Sequence, residues 1–139
     1  MTGALLAALL AGRILSAVEG PASAQVLSGI DVLAERGFSD LKGKRVGLIT
    51  NQTGLDRNGR TTVQILANAA DVTLSALFSP EHGFAGVQDD TDTVSGTFAL
   101  PDGRTVPLYS LYGSTRAPTP PMLAGLDVLV FDIQDIGAR

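Results

Sequence analysis

The chain contains no cysteine, which removes both a disulfide framework and a thiolate metal site. It holds one histidine, and the acids Asp89, Asp90 and Asp92 lack the spacing of an EF-hand loop, so no metal site is expected. Ten basic residues against fourteen acidic ones leave a net charge of -4, with no basic footprint for nucleic acid. No apolar run approaches the roughly 20 residues needed to span a bilayer, so stable membrane insertion is not expected. Nucleotide signatures are missing too. No G-x-G-x-x-G follows the first apolar β run, and no G-x-x-x-x-G-K-[ST] occurs. There is no G-x-S-x-G elbow, and Ser79 sits directly before proline. Thr50-Asn51 stands where a phosphorelay receiver would carry acids. No cofactor is expected, and no residue pattern sets an oligomeric state.

What is present is enough for a core. The 139 residues are 45% hydrophobic, which suits one domain of ordinary size or part of a larger one. Residues 1–24 differ from the rest. The short apolar stretch Ala4-Leu5-Leu6-Ala7-Ala8-Leu9-Leu10-Ala11 precedes Pro21-Ala22-Ser23-Ala24, a small-x-small site of the kind signal peptidases cut. A removable signal, cut after Ala24, is the expectation, which places the mature protein in the periplasm or outside the cell. Nothing basic precedes the apolar stretch and Arg13 interrupts it, so an Ala/Leu-rich amphipathic helix is the alternative.

The mature part, residues 25–139, reads as α/β. Apolar residues recur near helical spacing at Ile30, Leu33, Ala34 and Phe38, with Gly37 as a stop. The run Arg45-Val46-Gly47-Leu48-Ile49-Thr50 is a compact strand with a polar exit, Asn51-Gln52-Thr53-Gly54. A helix over residues 61–69 and a strand over 72–78 complete a βαβ unit. Residues 94–100 and 105–111 flank Pro101-Asp102-Gly103, and Asp-Gly is a strong hairpin signal. Residues 114–121 are proline-rich and read as an extended loop. Met122-Leu123-Ala124-Gly125 reads as the last turn of a short helix. Leu126-Asp127-Val128-Leu129-Val130-Phe131-Asp132 is the most strand-like run, and no helix follows it in the sequence. The expected fold is a Rossmann-like, mostly parallel sheet with flanking helices and a β-hairpin insertion, incomplete at its C-terminus.

Three strands therefore end in polar clusters: Asn51 and Gln52; Glu81 and His82; Asp132, Gln134 and Asp135. In a parallel sheet these ends share one edge, where ligands bind. An acid, an imidazole, amides and further carboxylates together suit acid–base chemistry on a polar substrate. Glu81, after the break at Ser79-Pro80, is the leading candidate for a general acid. Apolar neighbours such as Phe78 and Phe84 would raise its pKa. His82 ranks second, as a group that orients Glu81, binds substrate or satisfies the loop backbone.

Four ordered segments carry a resemblance. They are Val46-Gly47-Leu48-Ile49-Thr50-Asn51-Gln52-Thr53-Gly54, Leu77-Phe78-Ser79-Pro80-Glu81-His82-Gly83-Phe84, Leu108-Tyr109-Ser110-Leu111-Tyr112-Gly113, and Leu129-Val130-Phe131-Asp132-Ile133-Gln134-Asp135-Ile136-Gly137-Ala138-Arg139. The sequence resembles the bacterial exo-β-N-acetylmuramidases, the NamZ-type glycoside hydrolases. The resemblance implies a Rossmann-like N-terminal catalytic domain, followed in the family by a C-terminal domain with the site in the cleft between. It implies release of N-acetylmuramic acid from the non-reducing end of peptidoglycan fragments in cell-wall turnover or recycling. It makes Glu81 the catalytic acid, and Asn51, His82, Asp132, Gln134 and Asp135 cleft residues. The alternative from another class is a non-catalytic α/β module that binds a muropeptide or another polar ligand.

Overall fold

The computed structural model describes residues 26–80, 95–113 and 115–134. Two short helices are each started by a reciprocal cap. At helix α1 (Gly29–Glu35) the Ser28 hydroxyl accepts from the Asp31 N–H while Asp31 accepts from the Ser28 N–H. At helix α2 (Thr62–Ala67) Thr61 and Gln64 exchange the same pair of bonds. Such boxes satisfy donors that a helix start otherwise leaves open. Helix α1 ends where Gly37 and Phe38 take left-handed backbone, at φ 61° and 56°. The stop read at Gly37 is thus in place.

Five strands assemble into one sheet: β1 (Arg45–Thr50), β2 (Thr73–Ser79), β3 (Gly96–Ala99), β4 (Thr105–Ser110) and β5 (Val128–Asp132). Their order is β3-β4-β2-β1-β5. The β1–β2, β1–β5 and β2–β4 pairs are parallel, and β3 pairs antiparallel with β4. The expected hairpin is present, with Gly103 at φ 86° in its turn. The extended loop expected over residues 114–121 holds for residues 115–119, but Pro120 and Pro121 instead open helix α3 (Pro120–Leu123). Proline suits a first helical turn, because the N–H it lacks has no partner there.

The two faces of the sheet differ. Val46, Leu48, Leu74 and Leu77 point to the face that meets Ile30, Leu41, Val63 and Leu66 from the helical side. Leu48, Leu66, Leu74 and Leu77 are fully buried, worth about 1.5–3 kcal/mol each against exposure. On the other face Phe78 is fully buried and stacks at 5.4 Å on Tyr109. Gly47 lies beneath that ring: an added Cβ would come within 2.6 Å of Leu126 Cδ1 and 3.0 Å of Phe78 Cε2. Along β5 this face is open, with Phe131 66% exposed and Leu129 37%.

Charged clamps fix the ends of the elements. Arg57, in the segment between β1 and α2, donates to Asp31 Oδ1 at 3.1 Å and to Glu35 at 2.6 Å. Arg45 and Asp127 tie the start of β1 to the approach to β5, with contacts of 2.8 Å and 2.9 Å. The Ser28 hydroxyl, with the Arg57 backbone and guanidinium, holds Asp31 well below the usual carboxylate range. Arg45 does the same to Asp127.

Two outcomes follow. Gly47→Ala should lower stability by about 1–3 kcal/mol through overpacking against Phe78 and Leu126, read as a lower urea midpoint. The depressed carboxylates give a pH dependence of defined sign. Above the unfolded Asp value of about 3.9 both states are ionised and the contribution is complete. As pH falls below that value toward the folded values, the unfolded state takes up protons first and the contribution is lost. Asp31→Asn should therefore cost stability at pH 7, and its difference from wild type should shrink in melts run at pH 2–3.

Candidate active site

The parallel strands run in spatial order β4-β2-β1-β5. The chain steps outward from β1 to β2 to β4, then returns to the far flank of β1 with β5. A crevice opens at such a reversal, beyond the carboxyl ends of the strands. Here it falls between Thr50 at the end of β1 and Asp132 at the end of β5, which are register partners.

Threonine hydroxyls build the floor of this crevice. Thr50, 1% exposed, donates through Oγ1 to the Asp132 carbonyl at 2.8 Å. Thr62, also 1% exposed and first in α2, donates through Oγ1 to Asp132 Oδ2. Asp132 is thus held at its backbone from β1 and at its carboxylate from α2. Gly54 closes the packing. A Cβ there would collide with Thr50 Oγ1 and lie 2.9 Å from the Asp132 carbonyl, so only glycine lets the loop approach so closely. The Gly54 carbonyl then accepts from the Thr62 N–H at 2.9 Å, joining the β1 exit loop to α2.

Above this floor lies a second layer. Asn51 Oδ1 accepts from the Thr53 N–H at 2.9 Å and from Thr53 Oγ1 at 2.6 Å. The same Thr53 hydroxyl accepts from the Gln134 N–H at 2.9 Å. One side chain therefore ties the β1 loop to the β5 loop.

Strand β2 ends on the same edge at Ser79, one residue beyond the last β1–β2 register pair. Ser79 is fully buried, its carbonyl accepts from the Leu111 N–H at 2.7 Å, and its hydroxyl donates to the Pro80 carbonyl at 3.3 Å. It is a structural serine rather than a nucleophile.

Of the six residues expected at the site, Asn51, Asp132 and Gln134 come together at the β1/β5 reversal. Glu81, His82 and Asp135 lie outside the described residues. Thr50, Thr53 and Thr62 were not among the expected site residues. Their one sequence signal is threonine at a strand end and at a helix start, positions where the hydroxyl is as often a simple cap. Among the described residues no group of three or more His, Cys, Asp or Glu could hold a metal ion. No described helix is long and apolar enough to cross a membrane. An open groove of about 450 Å³ runs beside α1 and α2, against Phe38, Gln64, Asn68 and Pro101, but among the described residues no carboxylate or imidazole lines it.

Residues 46–139 match the family model described as exo-beta-N-acetylmuramidase NamZ, N-terminal. A Bacillus subtilis (strain 168) protein named peptidoglycan beta-N-acetylmuramidase NamZ is 47% identical over 115 residues, which cover 83% of this chain and 27% of that protein. Two crystal structures of DUF1343 family proteins from Bacteroides fragilis NCTC 9343 share the fold. One is 51% identical with a TM-score of 0.67, covering 81% of this chain and 27% of its own. The other is 32% identical with a TM-score of 0.55, covering 82% and 27%. The chain thus spans about a quarter of the length of these relatives.

The Thr62–Asp132 bond sets a testable cost. Thr62→Val keeps the volume but leaves a partly buried carboxylate without its hydroxyl donor, and should lower stability by about 1.5–3 kcal/mol. Thr62→Ser should recover most of it. Urea midpoints of the two variants measure this directly.

Proposed function

The chain belongs to the NamZ family of exo-β-N-acetylmuramidases, matching its N-terminal region, and from that premise we propose that it supplies the catalytic-domain part of a glycoside hydrolase. The reaction is removal of N-acetylmuramic acid from the non-reducing end of peptidoglycan fragments, in cell-wall turnover or recycling. The observation that carries this reading is the 47% identity to a protein named for peptidoglycan β-N-acetylmuramidase activity. It is supported by the polar crevice at the strand reversal, the place where an α/β sheet takes a ligand.

In this reading Glu81 is the general acid. Two residues before it, β2 ends at Ser79 on the crevice edge. A carboxylic acid there would protonate the departing glycosidic oxygen as the C1–O bond breaks. A second group, another carboxylate or the substrate's own acetamido oxygen, would stabilise the oxocarbenium-like transition state. Asn51 and Gln134 would contact the sugar, with His82 and Asp135 as supporting groups. No resident cofactor is part of the scheme. We place the protein in the periplasm or outside the cell, with residues 1–24 as a cleaved signal; the apolar stretch and the small-x-small site support this.

One observation favours a second reading, a non-catalytic module that binds a muropeptide. The carboxylate found in the described crevice, Asp132, is engaged by Thr62 and acts as a structural tie. The two readings part on one experiment. In the product of the complete reading frame, Glu81→Gln should lower turnover of a chromogenic N-acetylmuramide by at least about 100-fold with the fold intact. Unchanged turnover would remove Glu81 from the role. Muropeptide binding without turnover by the wild type would establish the binding module.

A further inference from the structure

We infer that Thr53 is a positioning residue: it fixes the Asn51 carboxamide so that Asn51 offers only N–H donors to the ligand, and so reads an acceptor oxygen on it. The inference deepens the glycosidase reading and rests on it for the identity of the ligand.

The hydrogen bonds themselves assign the amide. Asn51 Oδ1 accepts from a backbone N–H, that of Thr53, at 2.9 Å. A backbone N–H can only donate, so the atom it meets must be the carbonyl oxygen and not the amide nitrogen. The Thr53 hydroxyl then has a determined direction. It receives the Gln134 N–H at 2.9 Å, and because a carbonyl oxygen can only accept, its own proton goes to Asn51 Oδ1 at 2.6 Å. Both acceptor positions of Asn51 are therefore used within the loop. Its Nδ2 group carries two hydrogens and has no partner among the described residues. The side chain is half-buried at the end of β1, beside the β1/β5 crevice.

An amide with its oxygen consumed and its nitrogen free is a one-sided probe. It favours a carbonyl, carboxylate or hydroxyl oxygen and disfavours a ligand N–H at the same point, where two donors would meet. The amino sugar proposed above offers such oxygens in its acetamido, lactyl and hydroxyl groups. Because the same hydroxyl holds the Gln134 backbone, its loss would leave the amide held by the Thr53 N–H alone and would also loosen the tie between the two loops that border the crevice.

The test compares three variants in the product of the complete reading frame, using a chromogenic N-acetylmuramide, together with amide hydrogen exchange. Thr53→Val removes the hydroxyl at equal volume, Thr53→Ser keeps it, and Asn51→Asp keeps the accepting oxygen while replacing both N–H donors with a second, charged acceptor. Thr53→Val should raise KM about 10-fold, the scale of one lost hydrogen bond, with kcat changed less than KM. Thr53→Ser should bring KM back to within about threefold, and Asn51→Asp should raise KM at least as far as Thr53→Val. The Gln134 amide should exchange faster in Thr53→Val and recover in Thr53→Ser. Unchanged KM in Asn51→Asp, or equal KM in the Val and Ser variants, overturns the inference, as does a fall confined to kcat. Should Thr53→Val fail to fold, Thr53→Ala takes its place in the comparison with Thr53→Ser. A wild type that turns over no muramide overturns the glycosidase reading instead, and Gln134 exchange then still decides whether Thr53 holds the β5 loop.

Discussion

The junction at Asp132 is the constraint on which the crevice depends. Its carbonyl is held by the Thr50 hydroxyl and its carboxylate by the Thr62 hydroxyl, with Gly54 pressed close enough that no side chain fits. Three elements distant in sequence meet in those contacts: the end of β1, the start of α2 and the end of β5. Since hydrogen-bond geometry is narrow, the three cannot shift independently without stranding a buried polar group. The loops that border the crevice inherit that rigidity, which is what a binding site built on strand ends requires.

The rest of the structure distributes its support unevenly around this junction. One sheet face is closed by two short helices, neither long enough to be stable alone. Their caps and the Arg57 clamp to Asp31 and Glu35 compensate. The other face is closed at Phe78 but open along β5, where Phe131 and Leu129 meet solvent. Parallel sheets ordinarily have both faces covered. In this chain the covered side is therefore the side that fixes Thr62 and Asp132.

Much of the fold could be read from the residues. Val46-Gly47-Leu48-Ile49 and Leu74-Ser75-Ala76-Leu77-Phe78 are short, mostly apolar runs bounded by turn residues, which suit buried strands better than helices. Asp102-Gly103 announced the hairpin. Pro120-Pro121 misled, because proline excludes a helix interior but not its first turn. The candidate site was legible only in outline. Asn51, Asp132 and Gln134 could be named because polar residues end their strands. That Asp132 is a tie, and that Thr53 and Thr62 hold the crevice together, depends on pairings more than 60 positions apart. No local pattern encodes those. Glu81 and His82, the proposed acid and its supporting group, were named from the strand end at Ser79-Pro80 and from motif resemblance, and they lie outside the described residues.

The ring pair Phe78–Tyr109 has a spectroscopic consequence. The chain has no tryptophan and two tyrosines, so tyrosine, rather than its five weakly absorbing phenylalanines, dominates this chain's near-ultraviolet absorption and emission. Tyr109 reports from beside a fully buried ring at 5.4 Å, whereas Tyr112 is 40% exposed. The molecule thus carries an optical probe in the sheet and a reference at the surface. Replacing Tyr112 with phenylalanine would leave Tyr109 as the one tyrosine of this chain, reading the packing around β2 and β4.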